Sequence, residues 1–488
     1  MTPSGTTSAA AGPPARDAGA QPAWELLLPA AGAPARRRGR ALQEALREAV
    51  RSGRLPAGTR LPSSRALAAD LGVSRGLVTE AYEQLTAEGY LRSDRGSGTW
   101  VGGTARTGRA AAPAGPGGPA APAPGVVTDF RPGTPDLSLF PRAAWAAAQR
   151  TVLARLPHSA LGYPDPRGLP VLRSALAAML ARRRGVAADP DRLVVCSGVA
   201  QAATLLGTVL RARGHRGVGV EDPGSPEHGR LFAATGLETV PLPLDEEGLR
   251  PGPLARAGVR AVVVTPSHQF PSGIAWSAER RGLLLDWARE VDGHVLEDDY
   301  DGDFRYDRAP VGALQGLDPE RVVYTGSVSK SLAPGLRLGW MVLPGALVDE
   351  VVERKRTMDL GHPALDQAAL AHLVTSGGYD RQLRRCQRAY RERRDALLTG
   401  LERHFPGTSV TGIAAGLHVI ACLPARYGPV GRLLEAAAGA GVALRPLEEY
   451  GSARPADGAV RLVVGYAHLT PSVIDEGLRR TAEALGRR

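Results

Sequence analysis

Near the amino end of the chain, apolar residues recur at helical spacing at Leu42, Ala45, Leu46, Ala49 and Val50. This i, i+3, i+4 pattern predicts an amphipathic α-helix that buries one face. Ser63 or Ser64 then caps a short second helix that reaches Leu71. After the turn LGVS, Ser74 caps a third helix that ends near Glu88, because serine is a preferred N-cap. Two short helices joined by a tight turn are typical of a helix-turn-helix.

A β-hairpin is predicted after the third helix. The segment YLRSDRGSGTWV predicts a strand, a glycine-rich turn and a second strand, so residues 36–101 together indicate a winged helix-turn-helix. Residues 1–35 are rich in Ala, Gly and Pro, and residues 102–125 share this composition and show no apolar period. We therefore expect a disordered tail in the first of these segments and a linker in the second.

Short apolar runs alternate with helical segments over residues 126–488. Five of these runs are RLVVCSG, GVGVEDPG, AVVVTPSH, HVLEDDY and VVYTGS. Such runs are typical of parallel strands that are buried on both faces. The pattern predicts a large α/β domain with a mostly parallel sheet covered by helices, and a ligand site at the carboxyl ends of the strands. A smaller α+β region is expected from about residue 345 onward.

Composition and charge point to a class of partner. Hydrophobic residues make up 43% of the 488 residues, but no apolar run reaches about 18 residues, so no membrane-spanning helix is expected. The amino end lacks the pattern of a secretory signal, which favours a cytoplasmic location. The net charge is +11, and residues 36–100 hold +5 of it, from twelve arginines against seven acidic residues. This concentration suits a module that binds a polyanion.

Lysine is nearly absent, since only Lys330 and Lys355 occur among 60 cationic residues. A lysine that remains where arginine is the default is a candidate for imine chemistry, because a guanidinium does not lose its proton in a protein. Lys330 follows the predicted strand VVYTGS, whereas Lys355 lies in the polar segment VVERKRTMD. We expect Lys330 to carry chemistry and Lys355 to be a solvated helix cation.

Two further segments of the body could bind charged groups. In RLVVCSGVAQAA a strand passes into a helix, so Gly198, Val199 and Ala200 can offer backbone N–H groups to a phosphate at the positive end of the helix dipole. HVLEDDYDGDF contains four aspartates, but a single short segment lacks the spaced ligands of a calcium loop. We therefore expect no metal site and expect the last three of these aspartates to be exposed.

The amino-terminal module resembles the winged helix of GntR-type regulators. The resemblance rests on the elements LPSSR, LGVSR, AY..L..EGY and GSGT, in that order. It implies that the amino end of the recognition helix meets the major groove and that the wing approaches the minor groove. The residues assigned to double-stranded DNA in this way are Ser64, Arg65, Ser74, Arg75, Thr79, Gly96, Ser97 and Gly98. The alternative is that these arginines only solvate a surface.

The body resembles fold-type I aminotransferases. VVYTGSVSKSLAPGLRLGW is similar to their lysine motif, in which the amine forms a Schiff base with pyridoxal 5′-phosphate (PLP). The resemblance implies that Asp298 faces the pyridine nitrogen and that Tyr163 reaches the cofactor of a neighbouring subunit. It places Arg461 where relatives bind a substrate carboxylate. The residues assigned to the cofactor are Lys330, Asp298, Tyr300, Gly198, Val199, Ala200, Ser327, Ser329, Arg337 and Tyr163.

The order of the two halves resembles the MocR (GabR-like) transcription regulators over about residues 36–488. Ser225 and Ala200 depart from this pattern, because relatives commonly place a tyrosine and a glutamine there. The segment SHQFPSG stands where catalytic relatives have N-P-x-G, and it resembles the regulatory branch. What stacks on the PLP ring therefore stays undetermined by the sequence.

The resemblance implies a PLP-dependent transcription regulator that senses an amino compound, or PLP itself, through Lys330. It also implies a head-to-tail homodimer whose two winged helices face two half-sites of one operator. Two alternatives stay open at this point. One is a working aminotransferase with a fused DNA-binding domain, and the other is a DNA-binding protein whose body has lost the cofactor and serves as a dimerisation scaffold.

Overall fold

The computed structural model describes residues 32–94, 98–102, 125–307, 311–451 and 459–486. The chain divides into two compact units, Met1–Pro119 and Ala120–Arg488. The expected tail up to residue 31, most of the expected linker, and the wing residues Gly96 and Ser97 lie outside the described residues. Within the described part, no helix is both long and apolar enough to cross a membrane.

The first unit consists, as far as it is described, of three α-helices and a two-stranded wing. Its elements are α1 (Arg38–Arg51), α2 (Ser64–Leu71), α3 (Arg75–Ala87), β1 (Leu91–Asp94) and β2 (Gly98–Val101). The two strands pair antiparallel, with Leu91 opposite Val101. Leu46, Val78 and Leu85 are fully buried and belong to one hydrophobic cluster. The predicted winged helix-turn-helix therefore folds around a core of its own.

Serine side chains begin the second and third helices. The hydroxyl of Ser63 accepts a hydrogen bond from the backbone N–H of Ala66 at 3.1 Å, and that of Ser74 accepts one from Leu77 at 3.3 Å. Of the two serines that could cap α2, Ser63 is thus the N-cap, and Ser64 is the first helical residue. The cap at Ser74 fixes the start of α3, where the predicted base contacts lie.

The second unit is built on a large sheet. The strands of this unit are β3 (Thr128–Asp129), β4 (Leu193–Cys196), β5 (Gly217–Asp222), β6 (Glu238–Asp245), β7 (Gly248–Leu249), β8 (Ala261–Val264), β9 (His294–Asp298), β10 (Val322–Ser327), β11 (Gly339–Val342), β12 (Ser409–Thr411), β13 (His418–Leu423), β14 (Val442–Ala443) and β15 (Val460–Gly465). Within the described residues, eight of them form one sheet in the order β4-β11-β10-β9-β8-β5-β6-β7. Its central strands β6, β5, β8, β9 and β10 run parallel, and the outer neighbours pair antiparallel. The five apolar runs of the sequence are strands β4, β5, β8, β9 and β10.

Helices cover both faces of this sheet. The α-helices of the second unit are α4 (Arg142–Leu153), α5 (Pro170–Arg184), α6 (Val199–Ala212), α7 (Pro226–Ala233), α8 (Pro251–Arg256), α9 (Ala278–Glu290), α10 (Val348–Asp359), α11 (Ala364–Thr375), α12 (Gly378–His404), α13 (Val430–Gly439) and α14 (Pro471–Gly486). Leu193 and Val195 of β4 pack in one hydrophobic cluster, whereas Val194 and Cys196 pack in another. Since successive side chains of a strand point to opposite faces, neither face of β4 is left to solvent.

The carboxyl-terminal part forms a smaller α+β region. Strands β12, β13 and β15 make an antiparallel sheet, and β14 pairs in parallel with β3. The long helix α12 and helix α13 both pack against α14. The fold class predicted from the sequence is confirmed: a winged helix-turn-helix, a large α/β domain with a mostly parallel sheet, and a small carboxyl-terminal α+β region.

Candidate functional site

The carboxyl ends of β4, β9 and β10 meet at one edge of the large sheet. β4 pairs antiparallel with β11, which pairs antiparallel with β10, so β4 runs in the same direction as β9 and β10. In the register, Ser327 lies opposite Gly339, and Gly339 lies opposite Cys196. A Cβ on Gly339 would lie 2.7 Å from Cα of Gly198, so glycine is required for this close approach. The predicted residues after these strands therefore gather where α/β proteins bind ligands.

Lys330 follows β10 and is half-buried at this edge. Its Nζ donates a hydrogen bond to the carbonyl oxygen of Gly133 at 2.5 Å. Burial lowers the pKa of Lys330 below its usual value, although the charges of Asp301 and Asp298 act in the opposite direction. A lowered pKa increases the fraction of neutral amine, which is the form that attacks a carbonyl carbon. The surroundings of Lys330 thus favour imine formation.

Asp298 is buried at the end of β9, and only one of its two carboxylate oxygens has a hydrogen-bond partner among the described residues. Its Oδ2 lies 2.9 Å from Nε2 of His228, while its Oδ1 is buried without a hydrogen-bond partner among the residues that the structure describes. Burial lowers the pKa of His228, but the hydrogen bond and charge of Asp298 outweigh this effect and raise it above its usual value. A buried acceptor without a partner is costly, so Oδ1 is suited to a donor from a ligand.

The sequence did not identify His228 as a site residue. His228 lies on α7, 70 positions before Asp298, and only the folded sheet brings the two side chains together. The available signal in the sequence is its position three residues after Ser225, the site of a departure from the family pattern. Ser225 precedes α7 without capping it through its side chain.

Tyr300 belongs to a buried polar cluster with His268 and Asp301. Its hydroxyl oxygen lies 3.1 Å from Nδ1 of His268, and the same nitrogen lies 2.9 Å from Oδ2 of Asp301. Burial raises the pKa of Tyr300 well above its usual value, so its phenol keeps the proton that a hydrogen bond to a ring oxygen requires. The rings of Phe270 and His418 pack beside this cluster and complete an aromatic wall.

The turn between β4 and α6 presents backbone N–H groups. Gly198 has a φ of 80°, which favours glycine, and α6 begins with Val199 and Ala200. Arg337 lies beside this turn, because a Cβ on Gly198 would lie 3.4 Å from its Nη2, and the same nitrogen donates a hydrogen bond to the carbonyl oxygen of Ser197. A helix amino end next to a guanidinium is a favourable site for an anion.

The other residues predicted to bind the cofactor lie at two places. Ser327 ends β10, and its Oγ accepts a hydrogen bond from the backbone N–H of Ser329 at 3.3 Å. Both serines are half-buried at the same sheet edge as Lys330. Tyr163 is 88% exposed and has no place in this site within one chain. Its exposure is compatible with the expected contact to a neighbouring subunit.

Arg461 lies on β15 in the small sheet, opposite Cys422. Side chains two positions apart share a strand face, so Arg461 is on the face of Val463. Val463 packs in a cluster to which the ring of Tyr450 adds, and this ring contacts Phe270 with 5.3 Å between centroids. Arg461 therefore lies on the side of the small sheet that is next to the aromatic wall.

The expectation that Lys355 is a solvated cation is wrong. Its side chain is completely buried, and its Nζ donates a hydrogen bond to Oδ2 of Asp359 at 2.6 Å. Helix α10, which carries Lys355, packs against α6, so this face of α10 is covered. The polar segment VVERKRTMD does not indicate that Lys355 is buried, because the helix that covers it, α6, comes from a distant part of the chain.

The expectation that the later aspartates of HVLEDDYDGDF are exposed is also wrong for Asp299 and Asp301. Asp299 is buried against Arg184 of α5, with 2.6 Å between Oδ2 and Nε, and Asp301 is buried against His268. Asp303 is only partly exposed and lies 3.0 Å from Arg183. Within the described ranges, no group of three or more His, Cys, Asp or Glu side chains could hold a metal ion.

The predicted DNA contacts that are described lie around the start of α3 and in the wing. Arg75 is exposed at the first position of α3, and Thr79 donates a hydrogen bond to its carbonyl oxygen at 3.0 Å. Arg65 is exposed in the first turn of α2, and Ser64 beside it is half-exposed. Gly98 opens β2 with a φ of 124°. Arg65 and Arg75 are therefore exposed where helix-turn-helix proteins commonly contact DNA, and Gly98 belongs to the wing.

Sequence analysis did not identify two arginines that lie beside Trp100 of the wing, Arg60 before α2 and Arg92 in β1. The guanidinium carbons of Arg60 and Arg92 lie 5.8 and 5.9 Å from the ring centroid of Trp100. Both side chains are exposed, so they add positive charge next to Gly98. Their only signal in the sequence was the general excess of arginine in this module.

The residues at the sheet edge fit PLP in three separate respects. The lowered pKa of Lys330 suits a covalent bond to the aldehyde. The unpartnered oxygen of Asp298 suits a protonated pyridine nitrogen, and the turn at Gly198 with Arg337 suits the phosphate. The chain could therefore hold this cofactor with the residues that the sequence proposed.

Comparison with known protein families divides the chain in the same order. Residues 39–101 match the family described as bacterial regulatory proteins, gntR family. Residues 127–480 match the family described as aminotransferase class I and II. Both halves therefore have relatives, and the second match alone covers most of the chain.

Two relatives and two solved structures illustrate the similarity. The probable rhizopine catabolism regulatory protein MocR of Rhizobium meliloti is 36% identical over 91% of this chain and 93% of its own length. The pyridoxine biosynthesis transcriptional regulator PdxR of Corynebacterium glutamicum is 35% identical over 78% and 82%. A kynurenine aminotransferase of Pyrococcus horikoshii, solved in complex with PMP, has a TM-score of 0.65 at 28% identity and covers 75% of this chain and 92% of its own. A multiple substrate aminotransferase of Thermococcus profundus has a TM-score of 0.66 at 29% identity, with coverage of 75% and 92%.

The fold and the site define a DNA-binding regulator whose body has the aminotransferase fold, and this fold and these relatives imply PLP as its cofactor. The chain belongs to the MocR family of GntR-type transcription regulators.

We predict that Lys330→Ala abolishes the covalent fixation of PLP by borohydride, because Lys330 supplies the amine that bonds to the aldehyde. Wild-type protein should show a visible absorption band that borohydride removes, and mass spectrometry should find the label on the Lys330 peptide. Lys355 is an internal control, since its amine is completely buried against Asp359. A label on Lys355, or continued fixation in the variant, would contradict the assignment.

Proposed function

We propose that the protein is a transcription regulator that binds operator DNA through α3 and the wing and senses an amino compound, or PLP itself, at Lys330. The observation that carries this proposal is the presence, in one chain, of an exposed recognition helix and an amine site that fits PLP. A ligand can change DNA binding only if its affinity differs between two arrangements of the protein. The sensing step must therefore alter the geometry of the body or of the subunits.

The site residues have separate roles in this proposal. Bound PLP supplies an aldehyde that reacts reversibly with amines. Lys330 would hold the cofactor through its amine until another amine takes its place, and the unpartnered Oδ1 of Asp298 would accept a hydrogen bond from the ring nitrogen. The turn at Gly198 and the guanidinium of Arg337 would hold the phosphate. Arg461 binds a carboxylate when the amino compound carries one.

The loop SHQFPSG supports sensing over efficient turnover. Phe270 stands where catalytic relatives have the asparagine of N-P-x-G, and a phenyl ring cannot donate to the ring oxygen of PLP. The neighbouring side-chain amide of Gln269 is engaged by protein groups, two in the loop and one in the segment that contains Pro223. Its Nε2 donates to the carbonyl oxygens of Phe270 and Pro223 at 2.5 and 2.9 Å, and its Oε1 accepts from the hydroxyl of Ser272 at 2.6 Å. The one side-chain amide of this described loop, that of Gln269, therefore already has protein partners.

The proposal is tested by titrating PLP-loaded protein with a panel of amines and amino acids. We expect at least one compound to shift the visible band at equilibrium without continuous formation of an oxo acid, because binding displaces Lys330 and turnover is not supported. Borohydride added after saturation should then fail to fix PLP to Lys330. Sustained transamination with an added oxo acid would instead favour an enzyme with a fused DNA-binding domain.

A patch of exposed apolar side chains supports assembly into a homodimer. It comprises Leu153, Leu161, Tyr163, Met358, Leu360 and Leu365. The parts of this patch are adjacent, because a Cβ on Gly361 would lie 2.8 Å from Cγ of Pro164, and Gln149 of α4 contacts Asp366 of α11 at 3.2 Å. Contiguous exposed apolar surface is typical of a protein interface. We infer that a second copy covers it and brings Tyr163 to the neighbouring cofactor, in a head-to-tail arrangement.

We predict that Leu161→Asp shifts the protein towards monomers, because it places a charge in this apolar patch. Leu317→Asp is the matched control, since Leu317 is similarly exposed but lies outside the patch. Sedimentation equilibrium over a range of concentrations measures the effect. Equal dimer affinity in the two variants would show that the patch is not the interface.

We predict that Arg75→Ala weakens binding to a selected operator by about 1–3 kcal/mol and relaxes its sequence preference, because Arg75 reads a base edge. Arg40→Ala is the control, since it removes an exposed arginine from α1 that pairs with Glu44. Wild-type affinity should fall with salt by a log–log slope of about −0.9 for each phosphate contact. Unchanged affinity in Arg75→Ala, or a flat salt response, would refute the docking geometry.

A further inference from the structure

Lys355 is a completely buried cation in a chain that otherwise uses arginine for 58 of its 60 cations. A buried charge requires close compensation, since desolvation disfavours it. That compensation comes from Asp359, one helical turn later on α10, whose Oδ2 accepts the hydrogen bond from Nζ at 2.6 Å. Burial alone would raise the pKa of Asp359, but the hydrogen bonds from Lys355 and Gln201 outweigh it and lower that pKa. The carboxylate therefore stays charged.

The same carboxylate oxygen connects Lys355 to the first turn of α6. Nε2 of Gln201 donates a hydrogen bond to Oδ2 of Asp359 at 2.7 Å. The other end of this amide, Oε1, accepts a hydrogen bond from the backbone N–H of Ser197 at 2.7 Å. The second oxygen of Asp359 accepts from the backbone N–H of Gly361 at 2.9 Å. A continuous chain of hydrogen bonds thus runs from the buried ammonium to the backbone before Gly198.

Ser197 is held from two sides. Its N–H is bound by Gln201, and its carbonyl oxygen is bound by Nη2 of Arg337. Gly198 follows with a φ of 80°, and the helix begins one residue later. Because both backbone groups of Ser197 are fixed by side chains, the direction of the N–H groups that follow is also fixed. One of these two hydrogen bonds, that of Gln201 to the N–H of Ser197, belongs to the series of hydrogen bonds that starts at Lys355.

We propose that Lys355 is a positioning residue that acts through Asp359 and Gln201 to hold the Ser197–Gly198 turn in the orientation that binds the cofactor phosphate. The proposal rests on the proposed role of this turn in PLP binding. A lysine suits this place because its compact ammonium meets a single carboxylate oxygen, whereas the wider guanidinium of an arginine needs more room.

The test compares PLP with pyridoxal, which has the same ring and aldehyde but no phosphate. Lys355→Met should weaken the equilibrium binding of PLP by about 10-fold. This is the lower end of the loss in metal affinity when a residue that positions a metal ligand is mutated. The variant's binding of pyridoxal should change by less than about 2-fold. Both constants are measured from the visible absorption band in the full-length protein. Arg356→Met is the control, because Arg356 lies on the same helix and is exposed.

Gln201→Leu interrupts the same series of hydrogen bonds between Asp359 and Ser197. Gln201 is less buried than Lys355, so this variant still tests the proposal if Lys355→Met does not fold. It should also weaken PLP selectively, and the double variant should lose no more than the larger single loss, because both residues act through one path. Equal losses for PLP and pyridoxal, or independent losses that add in the double variant, would overturn the proposal. Failure of the wild-type protein to bind PLP would instead refute the cofactor site itself.

Discussion

A half-buried amine, that of Lys330, and a buried carboxylate oxygen, Oδ1 of Asp298, share one edge of the central sheet, and each has an unfavourable energy when no ligand is bound. Burial disfavours the charged form of Lys330, and Oδ1 of Asp298 has no partner among the described residues. Strands β9 and β10 hold the two residues in place, because Asp298 pairs in register with Thr325, five residues before Lys330. A cofactor with an aldehyde for Lys330 and an N–H donor for Oδ1 of Asp298 would remove the unfavourable energy of both groups. Its binding should therefore stabilise the folded state.

The sequence predicted what depends on local pattern. The N-cap at Ser74, the two-stranded wing and the strand that precedes Lys330 all follow from short segments, and the structure has them at the predicted places. It could not predict contacts that depend on which helix covers which face. Lys355 looked solvated because its own segment is polar, yet α6 buries it. His228 and Asp298 lie on separate elements, so only the strand order brings them together.

The same site can serve enzymes and regulators, and the difference lies in the residues around the ring. In our proposal Phe270 and the engaged amide of Gln269 offer the ring no polar side-chain contact, while Lys330, Asp298 and Arg337 would hold PLP. In our proposal the exchange of amines changes the affinity of the GntR-type winged helix for DNA. This requires that the free energy of amine binding differ between DNA-bound and free protein. By linkage, the amine then changes the free energy of DNA binding by the same amount.

The most direct test of this account measures operator affinity at fixed salt with and without a saturating amino compound, in PLP-loaded wild type and in Lys330→Ala. The account predicts a change of about 5-fold or more in wild type, the lower end of typical coupling between two sites, and no change in the variant. An affinity that is unaffected in wild type although the visible band shows saturation would contradict sensing at Lys330. An equal change in both proteins would place the sensor elsewhere in the molecule.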